Sequence, residues 1–150
     1  MSSLGTAGSK ALQEDPEPAF VTTVHKCLFC ERAPASQIEG DDLSFAVIDS
    51  YPVSPGHTLI IPRRHVASWF ECTAAEQQSL MQIMGQARQR LISTHQADSF
   101  NIGINDGPAA GQTVPHVHIH LIPRYVGDRE NPRGGVRWIL PDKADYWTKR

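Results

Sequence analysis

Four segments of the chain either alternate apolar and polar side chains or are rich in strand-forming residues, and each ends near a turn-forming residue. They are Leu43–Asp49, His57–Pro62, Ser99–Asn105 and Val114–Arg124. Such runs predict β-strands. In the second segment three apolar residues follow one another, Leu59, Ile60 and Ile61, which predicts a strand buried on both faces.

One long segment after Thr73 has helical spacing instead. Thr73 followed by Glu76 forms the capping-box pattern that begins a helix. The apolar residues that follow lie on one helical stripe: Leu80, Ile83, Met84, Ala87 and Leu91. Together these elements predict an α+β fold, in which one main helix packs across an antiparallel β-sheet.

The two ends of the chain have weaker patterns. The first 20 residues are small, polar and interrupted by proline, which predicts a disordered N-terminal extension. Residues 21–150 suit a single domain, with a loop-like C-terminal tail from about residue 126. Within this tail, Val136–Leu140 predicts a short extended piece, and the residues from Pro141 onward predict a last helical turn.

Composition narrows the class of protein. The formal net charge is −2, which gives no indication of binding to nucleic acid or membranes through bulk charge. No apolar run approaches the length of a membrane span, and no hydrophobic signal region begins the chain. Three cysteines do not form a disulfide framework. We therefore expect a cytoplasmic enzyme or binding protein.

Three histidines at two-residue spacing are the strongest chemical feature: His116, His118 and His120. In a β-strand, residues two apart share a face, so these imidazoles should lie side by side. A solvated polar face is the simplest interpretation. Since three neighbouring buried rings need partners for six nitrogens, a metal-binding face or a row containing a nucleophilic histidine fits better.

The loop before the histidines carries polar groups suited to an anion. Gly107 and Gly111 permit a nest of backbone N–H groups, Thr113 adds a hydroxyl and Asn105 an amide. A neutral imidazole can attack phosphorus and leave again, provided that its other nitrogen donates a hydrogen bond to a carbonyl. An anion nest beside an imidazole row therefore indicates phosphoryl transfer without a catalytic metal.

From Cys27 to Tyr125 the sequence resembles the histidine triad (HIT) family. The segment His116-Val117-His118-Ile119-His120-Leu121-Ile122 matches that family's pattern of alternating histidines completely, and Pro55–His65 and Asn105–Arg124 agree with it as well. The resemblance implies a nucleotidyl hydrolase or transferase that cleaves at the α-phosphate of a purine nucleotide. It also implies a homodimer.

The resemblance further implies roles for single residues. His118 is similar to the nucleophile that forms a nucleotidyl-histidine intermediate, His120 to the residue that contacts the leaving group, and His57 to a fourth histidine nearby. Asp49 is similar to the ribose-binding residue. The remaining substrate-binding candidates are the base-pocket residues Phe29 and Val47 and the phosphate-loop residues Asn105, Gly111, Gln112 and Thr113.

A second site is indicated by Cys27 and Cys30, a C-x₂-C unit. Alone it fits zinc, redox chemistry or two buried thiols. Some HIT proteins that resemble this sequence hold a structural zinc at these positions together with those of His65 and His116. The sequence therefore predicts zinc on Cys27, Cys30, His65 and His116.

Several alternatives remain open. The Ile122-Pro123-Arg124 continuation resembles dinucleoside polyphosphate hydrolases, whereas Asn105 is more typical of the phosphoramidase branch. A nucleoside phosphoramidase, a nucleotide-binding regulatory protein with little turnover, and a hydrolase with a catalytic metal on the three triad histidines are the competing functions. In the tail, Arg133 or Arg137 is expected either to contact phosphates beyond the α position, from the neighbouring subunit of a dimer, or to be an ordinary surface residue.

Overall fold

The computed structural model describes residues 26–31 and 36–148. Five antiparallel strands form one sheet in the order β1-β2-β3-β5-β4. They are β1 (Gln37–Gly40), β2 (Ser44–Ile48), β3 (Thr58–Pro62), β4 (Ser99–Ile104) and β5 (Ile119–Arg124). The main helix, α1, spans Ala74–His95, and a single helical turn, α2, spans Pro141–Ala144. The predicted α+β architecture is confirmed, while the predicted disordered extension, residues 1–20, lies outside the described residues.

Helix α1 begins as the sequence predicts. The Thr73 side chain accepts a hydrogen bond from the Glu76 backbone N–H, and the Glu76 carboxylate accepts one from the Thr73 N–H. Glu76 also forms a two-point ion pair with Arg64, with both N–O distances at 2.8 Å. This pair lowers the pKa of the Glu76 carboxyl to about 2, and it fastens the segment after β3 to the start of the helix. Among the described residues, no helix is both long and apolar enough to cross a membrane.

The sheet has two different faces. On one face α1 contributes Leu80, Ile83, Ala87 and Leu91 to a buried core with Ile60, Val117, Ile119 and Leu121. On the other face a smaller cluster is formed by Phe29, Phe45, Val47, Leu59 and Ile61. Strand β3 is therefore buried on both sides, as its apolar run predicts. Because the helix covers only one face, the second face is available for polar side chains.

The histidine segment enters the sheet later than predicted. The β5 ladder begins at Ile119, so His116 and His118 lie ahead of it in a stretch without regular secondary structure, where the Val117 N–H donates to the Val66 carbonyl over 2.7 Å. The alternation continues through this stretch, and Val117, Ile119 and Leu121 pack against the helix side. Ile122 lies on the opposite face from Leu121, since strands alternate strictly.

Two features differ from the sequence-based expectation. Strand β1 was not predicted, because it is a short, half-buried edge strand with an irregular register opposite β2. Val136–Leu140 is not extended: Gly135–Ile139 forms a 3₁₀ helix. Gly134 and Gly135 both have positive φ there, which turns the chain, and Pro141 then begins α2. The predicted last helical turn is present.

Candidate active site and metal centre

The orientation of His118 is set by its own chain. Its Nδ1 donates to the His116 carbonyl oxygen over 2.9 Å, and the ring is buried with an edge contact to Phe29, 5.0 Å between centroids. Because a neutral imidazole carries a single N–H, Nε2 keeps its lone pair. This is the arrangement that a histidine nucleophile needs.

His120 and His57 form a pair beside it. His57 Nε2 lies 3.0 Å from His120 Nδ1, and the His118 and His120 ring centroids are 5.0 Å apart. The Val53 N–H donates to His57 Nδ1 over 3.3 Å, so in the neutral His57 ring the hydrogen is on Nε2. It follows that His120 Nδ1 accepts this hydrogen and that His120 carries its own on Nε2.

Both rings of this pair are neutral at pH 7. Burial is the main cause that lowers the pKa of His57, and burial together with the neighbouring His118 and His57 lowers the pKa of His120 to about 4. The Asp49 carboxylate, 3.5 Å from His57 Nδ1, opposes both shifts. A neutral His120 can donate a hydrogen bond to a leaving oxygen without carrying charge into the site.

The glycine loop, residues 107–113, directly precedes the histidine segment in the chain. Gly107 and Gly111 have φ of 92° and 89°, conformations that favour glycine. In β4 and β5, Gly103 pairs with His120. Extending that register by two residues sets Asn105 opposite His118. Gly111 and Thr113 are exposed on the loop, as a contact with substrate phosphate requires.

The Gln112 side chain holds this loop in place through two hydrogen bonds. Its side-chain oxygen accepts the Gly107 N–H over 2.8 Å, and its side-chain nitrogen donates to the Ala67 carbonyl over 2.8 Å. Asp106, which the sequence did not single out, accepts from the Ser68 hydroxyl at 3.0 Å and the Trp69 N–H at 2.9 Å. Both side chains hold the loop in place, and no short sequence motif marks such long-range contacts.

The two candidates for the base pocket are packed together. Phe29 and Val47 belong to the same apolar cluster on the histidine side of the sheet, with 5% and 0% of their surface exposed. Val47 pairs with Leu59, which in turn pairs with His120. Val47 thus lies in the same row across the sheet as Leu59 and His120, and its part in a base pocket stays a prediction.

The four candidate zinc ligands converge. Their donor atoms, one each from Cys27, Cys30, His65 and His116, all lie within 4.8 Å of one another. The Cys30 Sγ lies 3.3 Å from His65 Nδ1. The His116 Nδ1 lies 3.4 Å from Cys27 Sγ and 3.5 Å from Cys30 Sγ. A tetrahedron with Zn–N of about 2.0 Å and Zn–S of about 2.3 Å has S–N edges of about 3.5 Å. The donor set fits zinc in both type and spacing.

Hydrogen bonding of His116 agrees with this fit. Its Nε2 donates to the Pro62 carbonyl over 2.8 Å, which leaves Nδ1 as the free nitrogen facing the two thiols. His65 reaches the cluster because the chain leaves β3 at Pro62 and is held beside the histidine segment by the bond between Val117 and Val66. Two residues far apart in sequence thereby become neighbours.

A catalytic metal on the three triad histidines receives no support from this geometry. Among the described residues, the groups of donor atoms close enough to share an ion are Cys27, Cys30, His65 and His116, and separately Asp49, His57 and His120. His118 belongs to neither group. Its free nitrogen is available to react instead.

The family model described as the HIT domain matches residues 31–127, and the chain belongs to this histidine triad family. It is 44% identical over 88 residues to bifunctional bis(5′-adenosyl)-triphosphatase/adenylylsulfatase FHIT of Arabidopsis thaliana, covering 59% of this chain and 49% of that protein. It is 43% identical over 86 residues to the asymmetrical bis(5′-nucleosyl)-tetraphosphatase of Schizosaccharomyces pombe, covering 57% and 47%. The chain spans about half the length of these curated relatives.

A solved structure also resembles the fold. It is a Zn-bound histidine triad family protein from Mycobacterium smegmatis, with a TM-score of 0.64 and 33% sequence identity, covering 71% of this chain and 80% of that one. The likeness agrees with the sheet order and the single main helix described above.

Proposed function

We propose that this protein is a nucleotidyl hydrolase or transferase that cleaves dinucleoside polyphosphates at the α-phosphate through a nucleotidyl-histidine intermediate. The observation that carries the proposal is the bond from His118 Nδ1 to the His116 carbonyl, which presents Nε2 as a nucleophile. The names of the two relatives, a triphosphatase and a tetraphosphatase acting on dinucleosides, support the substrate class.

The first chemical step is attack by His118 on the α-phosphorus. Nε2 supplies the electron pair for the new P–N bond, and the P–O bond to the rest of the polyphosphate breaks with its electrons on oxygen. The intermediate leaves a positive charge on the His118 ring, which the His116 carbonyl stabilises through Nδ1–H. His120 Nε2–H donates a hydrogen bond to the departing oxygen.

Water completes the reaction. Its oxygen bonds to phosphorus, the P–N bond breaks with its electrons returning to Nε2, and one proton is released to solvent. Thr113 supplies its hydroxyl, and Asn105 its side-chain amide, to the phosphate oxygens in both steps. Asp49 binds the ribose hydroxyls, and the surface formed by Phe29 holds a purine base.

A structural zinc is the second part of the proposal. Cys27, Cys30, His65 and His116 hold it, and the ion supplies a cross-link between the N-terminal turn, the segment after β3 and the histidine segment. It takes no part in the chemical steps. A homodimer and a cytoplasmic location stay predictions.

Turnover and trapping test the proposal together. Purified protein is compared on diadenosine triphosphate, adenosine 5′-phosphoramidate and an aminoacyl-adenylate, and the reaction with adenine-labelled substrate is quenched and digested for mass spectrometry. We expect diadenosine triphosphate to be preferred and a nucleotidyl group to be found on His118. A preference for the phosphoramidate would select the phosphoramidase alternative, and binding without turnover would select the regulatory one.

A further inference from the structure

A cavity of about 600 Å³ lies between the C-terminal tail and the histidine side of the sheet. One wall comes from the β2–β3 loop, the floor from β4 and β5, and the opposite wall from the tail. Its lining includes Val53, Ser54, Ile122, Arg124, Arg129 and Trp138.

The cavity continues directly from the catalytic histidines. Along β5, His120, Ile122 and Arg124 share one face, so Ile122 in the cavity floor is about 7 Å from His120 at about 3.3 Å per residue. Val53 in the cavity wall donates its N–H to His57. Ser54 fastens the same wall to β5, its hydroxyl donating to the Pro123 carbonyl over 2.7 Å.

The charges in the cavity leave one cation available. Arg124 is committed to Asp128 through two bonds of 2.6 and 2.7 Å, and to Asn101 through a third of 2.6 Å. Asp128, the carboxylate in the cavity lining, is neutralised by this pairing. Arg129 also lines the cavity. Its charge contributes to the low pKa of Asp128, but within residues 26–31 and 36–148 its guanidinium makes no hydrogen bond or ion pair.

Arg133 and Arg137, the two tail arginines considered from the sequence, make their contacts within the tail. Arg137 donates to the carbonyls of Ala144 and Lys143 at 3.1 and 2.7 Å and lies over the Tyr146 ring at 5.0 Å. Arg133 lies over the Trp147 ring at 4.9 Å. Both guanidinium groups stabilise the tail itself.

An aromatic side chain, Trp138, lines the same cavity as Arg129. The Trp138 indole N–H donates to the Arg133 carbonyl over 2.8 Å, which fixes the ring, and 41% of the residue is exposed. Pro132, Val53 and Ile122 complete an apolar lining. A planar base next to a phosphate matches an indole face next to a guanidinium.

We propose that this cavity binds the leaving nucleotide of a dinucleoside polyphosphate, with its phosphates on Arg129 and its base against Trp138. The inference rests on the proposed function and names the part of the substrate that departs. An amine leaving group fits less well, because the carboxylate that would attract it is already paired with Arg124.

Binding and turnover are measured separately to test this. In a His118→Ala background, Arg129→Gln should weaken binding of diadenosine triphosphate about tenfold through loss of a charge-assisted contact, and change AMP binding by no more than about twofold. Trp138→Ala should act in the same direction and Trp138→Phe should restore most of the loss. Arg90→Gln on the helix side of the sheet is the matched control for removal of one charge.

With an intact His118, the same variants should lower kcat/KM for diadenosine triphosphate and spare adenosine 5′-phosphoramidate, whose leaving group is too small to reach the cavity. Equal weakening of AMP and diadenosine triphosphate, no weakening of either, or failure to bind both would overturn the cavity assignment. Selective loss of diadenosine triphosphate binding, together with absence of turnover in the protein with an intact His118, would keep the cavity and reject the proposed catalysis.

Discussion

His116 and His118 are two residues apart but lie in different clusters of side chains, and a different ring nitrogen is free in each. His116 donates from Nε2 to the Pro62 carbonyl and presents Nδ1 to two cysteines. His118 donates from Nδ1 to the His116 carbonyl and presents Nε2 to the side of the sheet that the helix leaves uncovered. Under the proposed function, the same side chain serves as a metal ligand or as a nucleophile according to which nitrogen a backbone carbonyl occupies.

The two clusters also differ in what surrounds the free nitrogen. Around His116 there are three further donor atoms within 4.8 Å, which suits an ion with four ligands. Beside His118 lie His120 and, bonded to it, His57, a pair of neutral imidazoles whose free N–H suits an incoming phosphate. Loss of one cluster should therefore affect stability and loss of the other should affect chemistry.

The largest expected effect is the loss of catalytic rate when His118 is replaced. His118→Ala should lower kcat on a dinucleoside polyphosphate by about 10³-fold or more, because the covalent route is lost, while AMP binding persists. Steady-state kinetics and calorimetric binding measure the two outcomes. His95→Ala, at the exposed end of α1, is the control, and turnover of His118→Ala within tenfold of the unmodified protein would remove the nucleophile assignment.

Removal of the Cys27 and Cys30 thiols should instead lower the stability of the fold and leave the chemical step possible. Cys27→Ser combined with Cys30→Ser should eliminate bound zinc and lower the stability by about 3 kcal/mol, or about 10 °C in Tm, with residual activity at low temperature. Elemental analysis and thermal unfolding are the measurements. Cys72→Ala, which changes the cysteine outside the cluster, should retain the metal. Protein purified without chelator and free of zinc would contradict the proposal.

Acid should weaken the fold through the histidine pair. The pKa of His120 is about 4 in the folded protein, below the unfolded value of about 6.5. Between these values the unfolded chain binds the proton and the folded chain does not, so stability falls as the pH decreases from 6.5 towards 4. The loss attributable to His120 should be on the order of 2 kcal/mol at pH 4.5.

Chemical unfolding of the protein and of His120→Gln at pH 7.5 and 4.5 measures this contribution. The variant should show a shallower decrease, and His95→Gln should behave like the unmodified protein. Parallel decreases in all three proteins would mean that groups other than His120 cause the acid sensitivity.

The smallest expected effect concerns Asp49, which faces His57 and is also the candidate ribose ligand. If it binds ribose, Asp49→Asn should raise KM about tenfold for a substrate with intact ribose, and leave a 2′,3′-dideoxy substrate nearly unchanged. If it acts by orienting His57, kcat should fall for both substrates. Parallel kinetics on the two substrates decide between these roles.

Local patterns were sufficient for several parts of this molecule. The capping box of α1, its apolar stripe, the alternation of Val117, Ile119 and Leu121 and the burial of β3 on both faces could all be predicted, because each depends on residues within a few positions of one another. Strand β1 and the 3₁₀ helix at Gly135 could not. A half-buried edge strand has no clear alternation, and two adjacent glycines permit several turns.

The sequence by itself determined which chemical groups this protein has: the imidazoles, the thiols, the glycine loop and their two-residue or three-residue spacing. Only the tertiary structure decided how they are used. The β3–β5–β4 order brings His65 to His116, and His57 to His120. Backbone carbonyls select the free nitrogen of His116 and of His118, and the folded tail brings Arg129 to the cavity. Contacts between distant segments and the choice of hydrogen-bond partner depend on the whole packed chain, so short patterns do not encode them.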